Sequence, residues 1–402
     1  MTTRISTRVS AVEPSPTLAV DARAKAMRQE GVDIIGFGAG EPDFPTPPHI
    51  VEAARQAASD PASHKYTPTA GLPKLRQAVA SRTSITSSLD IDPSQVLITN
   101  GAKQAAFEAF ATVTDPGDEV IYGTPVWSTY TEVIKLAGGV PVPVAAREDA
   151  GFHLTAADIE HAVTQRTKAI LIVSPSNPTG AVLARDELRD IARLAAERGL
   201  MVVTDEIYDN LVYGGCKFSS ILDADPSIAD QVIIINGVSK SFAMTGWRVG
   251  WMVGPVDIIR AATNLQSQMS SNVSNVSQRA ALAALDGDMQ CVEDMRLAFD
   301  RRRQLAYKIL SDMPGVNITE PEGAFYAFPS VKQLIGKRLG GQLATSTAQL
   351  AEIALEAAKV AVVPGEAFEC PGYLRLSYAM SDDLLEIGLQ RLGNLFASAT
   401  AS

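Results

Sequence analysis

From Gln95 onward, short runs of aliphatic and β-branched residues alternate with longer stretches of helical period. The apolar runs are VLIT (96–99), EVIYG (119–123), VPVPV (140–144), AILIVS (169–174), LMVVTD (200–205), QVIIIN (231–236) and VGWMVG (249–254). Between most of them lie helix patterns such as KQAAFEAFATVT (103–114), STYTEVIKLAG (128–138), TAADIEHAV (155–163) and RDELRDIARLAAERG (185–199). Continuous apolar strands need cover on both faces, and a helix returning the chain between them makes neighbours parallel. The expectation is an α/β fold with a mostly parallel sheet, whose ligands sit beyond the carboxyl ends of the strands.

That pattern fades near residue 285. A long charged helix is expected from about there through Leu310, followed by VNITE, PEGAFYAFPS, a Gly-rich loop, a helix over 347–358, and the strands KVAVVP and YLRLSYA. These read as a smaller α+β domain. The organisation expected is an N-terminal segment (1–45) packing with the small domain, a large domain (46–285) and the small domain (286–402). Helices are expected over 18–29 and from His49 to Ala58. A chain of 402 residues is long enough for two cores.

A formal charge of -10 gives no general attraction for nucleic acid or an anionic membrane. The three cysteines, Cys216, Cys291 and Cys370, are widely spaced and cannot all pair internally, which argues against a disulfide framework or a CxxC metal knuckle. The opening MTTRISTRVSAVEPSP has no apolar core of a secretory signal, and no apolar run reaches spanning length. A cytoplasmic protein without a metal site is expected.

Chemistry is expected where polar residues follow the strands. Lys240, in NGVSKSFAMTGWRV, lies between an apolar strand and a turn, with Arg248 further along the same segment. An amine beside fixed positive charge suits an aldehyde cofactor carrying a phosphate, although a lysine after a strand can also be merely solvated. Asp205 ends LMVVTD and either caps the next helix or pairs with a protonated pyridine nitrogen. Tyr208, one turn later, and Asn177, in SPSNPTG, are candidates for the oxygen on the same ring. Gly101, Ala102 and Lys103 stand between a strand and a strong helix, where exposed amides make a phosphate nest. Trp127 follows another strand and is either core or a face for a flat ring. Arg375 interrupts the apolar YLRLSYA and is either an interdomain ion pair or a clamp for a carboxylate.

Taken in order, SPTLAVDARAKA, GEPDFPTP, KYTPTAGLPKLR, NGAKQA, SPSNPTG, TDEIYDNLVY, VSKSFAMTGWRVG, PEGAFYAF and YLRLSYA resemble the fold-type I pyridoxal-phosphate aminotransferases, in particular the bacterial class I aspartate aminotransferase subgroup. The resemblance covers almost the whole chain. It implies pyridoxal 5'-phosphate as cofactor, with Lys240 its covalent anchor, Asp205 on the pyridine nitrogen, and Asn177 and Tyr208 on the ring oxygen. Trp127 is implied as the stacking ring, the amides near Gly101 and Ala102 with Ser239 and Arg248 as the phosphate site, and Arg375 with the Gly40 backbone as the α-carboxylate site.

The same resemblance implies that Tyr66 reaches the phosphate of a neighbouring subunit, so that a homodimer shares its active sites. Lys103, Ser15 and Thr17 are implied at the distal end of the substrate, which favours aspartate and 2-oxoglutarate in a ping-pong exchange. Lys240, Asp205 and Tyr208 are the residues expected to carry the chemistry. The alternatives are an aminotransferase for prephenate, aromatic residues or alanine, and a non-catalytic regulatory or binding protein. Glu13 is acidic where a basic residue would better receive a further carboxylate of prephenate.

Overall fold

The computed structural model describes residues 4–401. Its centre is a seven-stranded sheet made of β1 (Val96–Thr99), β2 (Glu119–Thr124), β3 (Val140–Ala145), β4 (Thr167–Val173), β5 (Met201–Asp205), β6 (Val232–Gly237) and β7 (Gly250–Val253), in the spatial order β1-β7-β6-β5-β4-β2-β3. All neighbours are parallel except β7, which runs antiparallel to both β6 and β1. The cause is the connection: residues 238–249 contain only a 3-10 turn (Thr245–Trp247), and without a crossover helix the chain returns in the opposite direction.

Period-two alternation divides each strand except β3 between two cores. Val96, Ile98, Ile121, Ile170, Val202 and Ile234 face one apolar cluster. Leu97, Val120, Leu171, Val203, Ile235 and Met252 face the other, packing on α1 (Ala102–Val113) and on the helices Thr129–Leu136 and Val256–Met269. β3 carries Pro141 and Pro143 and lies at the edge, where a missing amide donor breaks no inner ladder.

A smaller unit gathers around its own cluster of Phe299, Phe325, Leu350, Leu374 and Leu389. It contains a three-stranded antiparallel sheet with Leu374–Ser377 between Val363–Pro364 and Tyr326–Ala327. The N-terminal chain joins it: Ile35–Gly36 pairs in parallel with Val360–Ala361, and Ser377 N–H donates to the Phe37 carbonyl at 2.9 Å. The helices expected over 18–29 and 49–58 span Pro16–Gln29 and Pro48–Ser59. Each begins with a proline in the first turn, where its missing amide leaves no helical bond unmade.

The long helix expected from about residue 285 through Leu310 is Gln290–Ser311, starting a few residues later than expected and separated from the preceding helix Asn275–Asp286. The break is chemical. A Cβ on Gly287 would lie 2.7 Å from the Ala283 carbonyl oxygen and 2.8 Å from His49 Nε2, and the Asp288 carboxylate accepts the Gln290 N–H at 2.9 Å just ahead of the new helix. The helix expected over 347–358 is α-helical only over Thr347–Ile353 and widens to a π-helical turn at Ala354–Ala358. VNITE forms no strand, only a bridge between Asn317 and Ser330. Among the described residues, no helix is long and apolar enough to cross a membrane, and no cluster of three His, Cys, Asp or Glu residues is arranged to hold a metal.

Candidate active site

The carboxyl ends of β1, β2, β4, β5 and β6 open onto one cavity of about 390 Å³. Lys240 enters it from the loop after β6. Its Nζ donates to the Gly40 carbonyl at 2.6 Å. Burial lowers the amine to about 8, with Glu41 working against the shift and the positive Arg375 assisting it. A solvated lysine would show no such depression.

Asp205 closes β5 and is buried. One oxygen, Oδ1, accepts the Ile207 N–H at 2.9 Å, and the other, Oδ2, accepts the hydroxyl of Tyr130. No helix follows, so the carboxylate fixes a turn and not a helix start. Burial raises its pKa, and the two hydrogen bonds oppose the rise. Tyr208 lies in that turn, with its hydroxyl 2.9 Å from the hydroxyl of Tyr326.

At the opposite end of the cavity, Gly101 has φ +82° and leads into α1, leaving the first amides of a twelve-residue helix without helical partners. Substituting Gly101 is blocked from outside as well, since a Cβ there would meet Arg248 Nη2 at 2.5 Å. Gly250 approaches from β7 so closely that its Cβ would lie 2.5 Å from Ala102 N. Arg248 is held by the carbonyls of Thr245 (2.9 Å) and Asn100 (3.3 Å). Ala102, Ser239, Arg248 and Thr245 all line the cavity there.

Arg375 is 2 % exposed and stands on the third wall. Its Nη1 donates to Asn177 Oδ1 at 3.1 Å and its Nη2 to the Gly38 carbonyl at 2.8 Å, while Nε has no partner. The guanidinium lies over the rings of Tyr326 (4.5 Å) and Phe368 (5.0 Å). An interdomain ion pair was the plain alternative for this residue. Among the described residues Arg375 touches no carboxylate, so a buried cation faces the cavity with donors to spare.

Trp127 and Lys103 form the remaining side, the Lys103 ammonium 4.9 Å from the indole centroid. Burial and the neighbouring Arg248 lower the Lys103 pKa. Ser15 and Thr17, hydroxyls 3.1 Å apart at the start of the Pro16–Gln29 helix, close the mouth together with Gly40. Of the residues expected from the sequence, Tyr66 and Gly101 do not line this cavity, and Tyr66 is 89 % exposed. Gly101 lies at its edge, behind Ala102.

Sequence reasoning missed Tyr130, Tyr326, Glu41 and the Asp21–Lys25 pair, all of which line the cavity. Tyr130 lies in the first turn of the helix that follows Trp127, and the two rings meet edge to face. Glu41 has no comparable signature, because it matters through a hydrogen bond from Thr245 at 2.8 Å, far away in sequence.

The model of the aminotransferase class I and II family matches residues 32–392. The chain is 56 % identical over 396 residues to the aspartate aminotransferase of Streptomyces avermitilis, covering 98 % of this chain and 97 % of that one. It is 44 % identical over 390 residues to a protein of Aquifex aeolicus named as a probable aspartate/prephenate aminotransferase, with 96 % and 97 % covered. The crystal structure of the aspartate aminotransferase from Rhizobium meliloti superposes with a TM-score of 0.95 at 36 % identity, over 99 % of this chain and 100 % of that one. With a matched sequence of this length and a shared fold throughout, the chain belongs to the class I and II aminotransferases of fold type I, in the aspartate aminotransferase subgroup.

Proposed function

We propose that this protein is an aspartate aminotransferase that moves the amino group of L-aspartate to 2-oxoglutarate with pyridoxal 5'-phosphate, as a cytoplasmic homodimer. The observation that carries the reading is the convergence of Lys240, Asp205, Arg248 and Arg375 on one cavity. The residues fit the cofactor: free helix amides and Arg248 suit a phosphate, a buried carboxylate whose hydrogen-bond partners are neutral suits a ring N–H, and a depressed lysine suits an aldehyde. When bound, the cofactor supplies an aldehyde that condenses with amines and a ring that accepts electrons from the Cα–H bond.

The protein's part is to hold and to move protons. Asp205 holds the proton on the ring nitrogen, because two opposite charges together are less costly in a buried site than either alone. Tyr208 and Asn177 hold the ring oxygen, and Trp127 covers the ring face. Lys240 Nζ, neutral above about pH 8, takes the proton from the substrate Cα. Arg375 and the Gly40 backbone orient the α-carboxylate so that this proton faces the amine. Lys103, Ser15 and Thr17 receive the distal carboxylate that aspartate and glutamate share.

Tyr66 is read as a contribution to the partner's phosphate site, which is consistent with its exposure. The division at residues 45 and 285 belongs to the same reading, supported by the separate large and small cores. Prephenate is the second acceptor considered, on the strength of the Aquifex relative's name.

The test is a matrix of amino donors against 2-oxoglutarate, oxaloacetate and prephenate, with purified protein and added pyridoxal phosphate. Aspartate with 2-oxoglutarate is expected to give the highest kcat/KM. Turnover with prephenate or aromatic partners but not with aspartate overturns the assignment. No spectral response to any amino acid supports the non-catalytic alternative.

A further inference from the structure

Tyr130 is 1 % exposed, and among the described residues its hydroxyl makes one hydrogen bond, to Asp205 Oδ2. The direction of that bond is settled by chemistry. Burial, and then the nearby Asp205 charge, hold the phenol far above its ordinary pKa, so it remains the donor. The second oxygen of Asp205 is engaged by the Ile207 amide at 2.9 Å. The carboxylate is therefore gripped at both oxygens and cannot rotate, while lone pairs remain for one further N–H.

The same short helix carries another ring of the site. Trp127 sits just before Thr129–Leu136, and its indole meets the Tyr130 ring edge to face, centroids 5.7 Å apart at 87°. One helix start thus controls both the ring-covering indole and the phenol beneath the carboxylate. The bond joins β5 to an element 75 residues earlier in the chain.

We propose that Tyr130 is a positioning residue for the ring-nitrogen contact: its phenol holds the Asp205 carboxylate anionic and aimed at the cofactor nitrogen. The inference rests on the cofactor reading above and adds a residue to it. Without the phenol, Asp205 is a buried carboxylate with a single amide donor, and the neutral acid gains ground. A neutral acid holds the ring proton less well.

Tyr130→Phe removes the hydroxyl and leaves the ring contact with Trp127. Hydrogen bonds to charged groups set the scale, and the dissociation constant of pyridoxal phosphate, titrated into the apoprotein by fluorescence, is expected to rise roughly ten- to hundredfold. The pH midpoint of the bound cofactor's visible absorbance is expected to move upward, because the ring nitrogen loses part of its charge. In an Asp205→Asn background the same substitution should change neither quantity, since Tyr130 acts through that carboxylate. If Tyr130→Phe alone yields little folded protein, the double variant compared with Asp205→Asn supplies the same answer.

Wild-type affinity and an unmoved midpoint in a Tyr130→Phe protein overturn the inference, as does an equal loss in the Asp205→Asn background. A wild-type protein that takes up no pyridoxal phosphate overturns the cofactor reading itself, and the inference with it.

Discussion

Arg375→Lys isolates what a planar fork does that a point charge cannot. The guanidinium has five N–H donors. Two are engaged, at 3.1 Å to Asn177 and 2.8 Å to the Gly38 carbonyl, and the Nε donor is free along with the second hydrogen on each terminal nitrogen. Those free donors are what an α-carboxylate can meet with two parallel bonds. A lysine ammonium has three donors. If it keeps the protein contacts it has one left for the substrate, and if it turns to the substrate it leaves buried acceptors unmet. At least one charge-assisted bond is lost either way, and such a bond is worth about 1.5–3 kcal/mol, or roughly ten- to 150-fold in affinity. The amino-acid donor and the oxoacid acceptor both present an α-carboxylate, so both KM values are expected to rise in similar proportion. Steady-state kinetics with each substrate varied in turn, together with the inhibition constant of maleate, reads this directly. Unchanged KM values, or a rise for one substrate alone, would refute the argument.

Other expectations follow from the same geometry. Lys240 lies below its ordinary value, so its neutral fraction falls as pH drops through about 8; a small amine-reactive reagent should label it in the apoprotein with a midpoint near 8, well before exposed lysines react. Lys240→Ala should keep the fold by circular dichroism and lose at least about a hundredfold in turnover, the low end for a proton-transfer group. Glu108, fully buried on α1 with Oε2 unpaired and Oε1 bonded to Gln104 at 2.7 Å, is pushed by burial from 4.5 to about 7. Between those values the folded state holds the extra proton, so this group's stabilising contribution is lost as pH rises from 4.5 through 7 and stays lost above. At about 1.4 kcal/mol per pH unit the span comes to about 3 kcal/mol. Glu108→Gln should therefore gain stability over the wild type in urea unfolding at pH 8 and gain little at pH 4.5; an identical difference at both pH values would contradict the assignment.

The strands and helices of the large sheet were legible because each strand is a short apolar run and each helix a longer amphipathic one. The polar residue after each strand was legible for the same reason, since the end of a run marks the sheet edge where ligands meet the chain. What was not legible depends on distance in sequence. The reversal of β7 is set by a loop too short for a crossover, and the glycine at 287 is required by the close approach of His49 from another helix. Tyr130, Tyr326 and Glu41 matter through partners 75, 118 and 204 residues away, and no local pattern encodes such a meeting. Tyr66 was read from family likeness alone, and on this chain it is exposed and stands away from the cavity.

The site is built from charges that the fold itself disfavours. Burial pushes Lys240 and Arg375 toward their neutral forms and does the same to Asp205, so each is a group the protein alone solvates poorly. None of the three is neutralised by an ion pair within hydrogen-bond reach among the described residues. In direct contact the Asp205 carboxylate meets only neutral donors, the Lys240 amine a carbonyl, and the Arg375 guanidinium an amide, a carbonyl and two aromatic faces, while Glu41 and Asp205 act on Lys240 from farther off. Neutral partners support a charge without cancelling it, which leaves most of its field directed into the cavity. A ligand bringing a ring N–H and a carboxylate therefore relieves Asp205 and Arg375 together, and its binding is coupled to theirs. On this argument a monocarboxylic amine without the ring, or the cofactor without a substrate, satisfies only part of the field. The same logic explains why an ion pair at Arg375, had the sequence supplied one, would have stabilised the protein and closed the site.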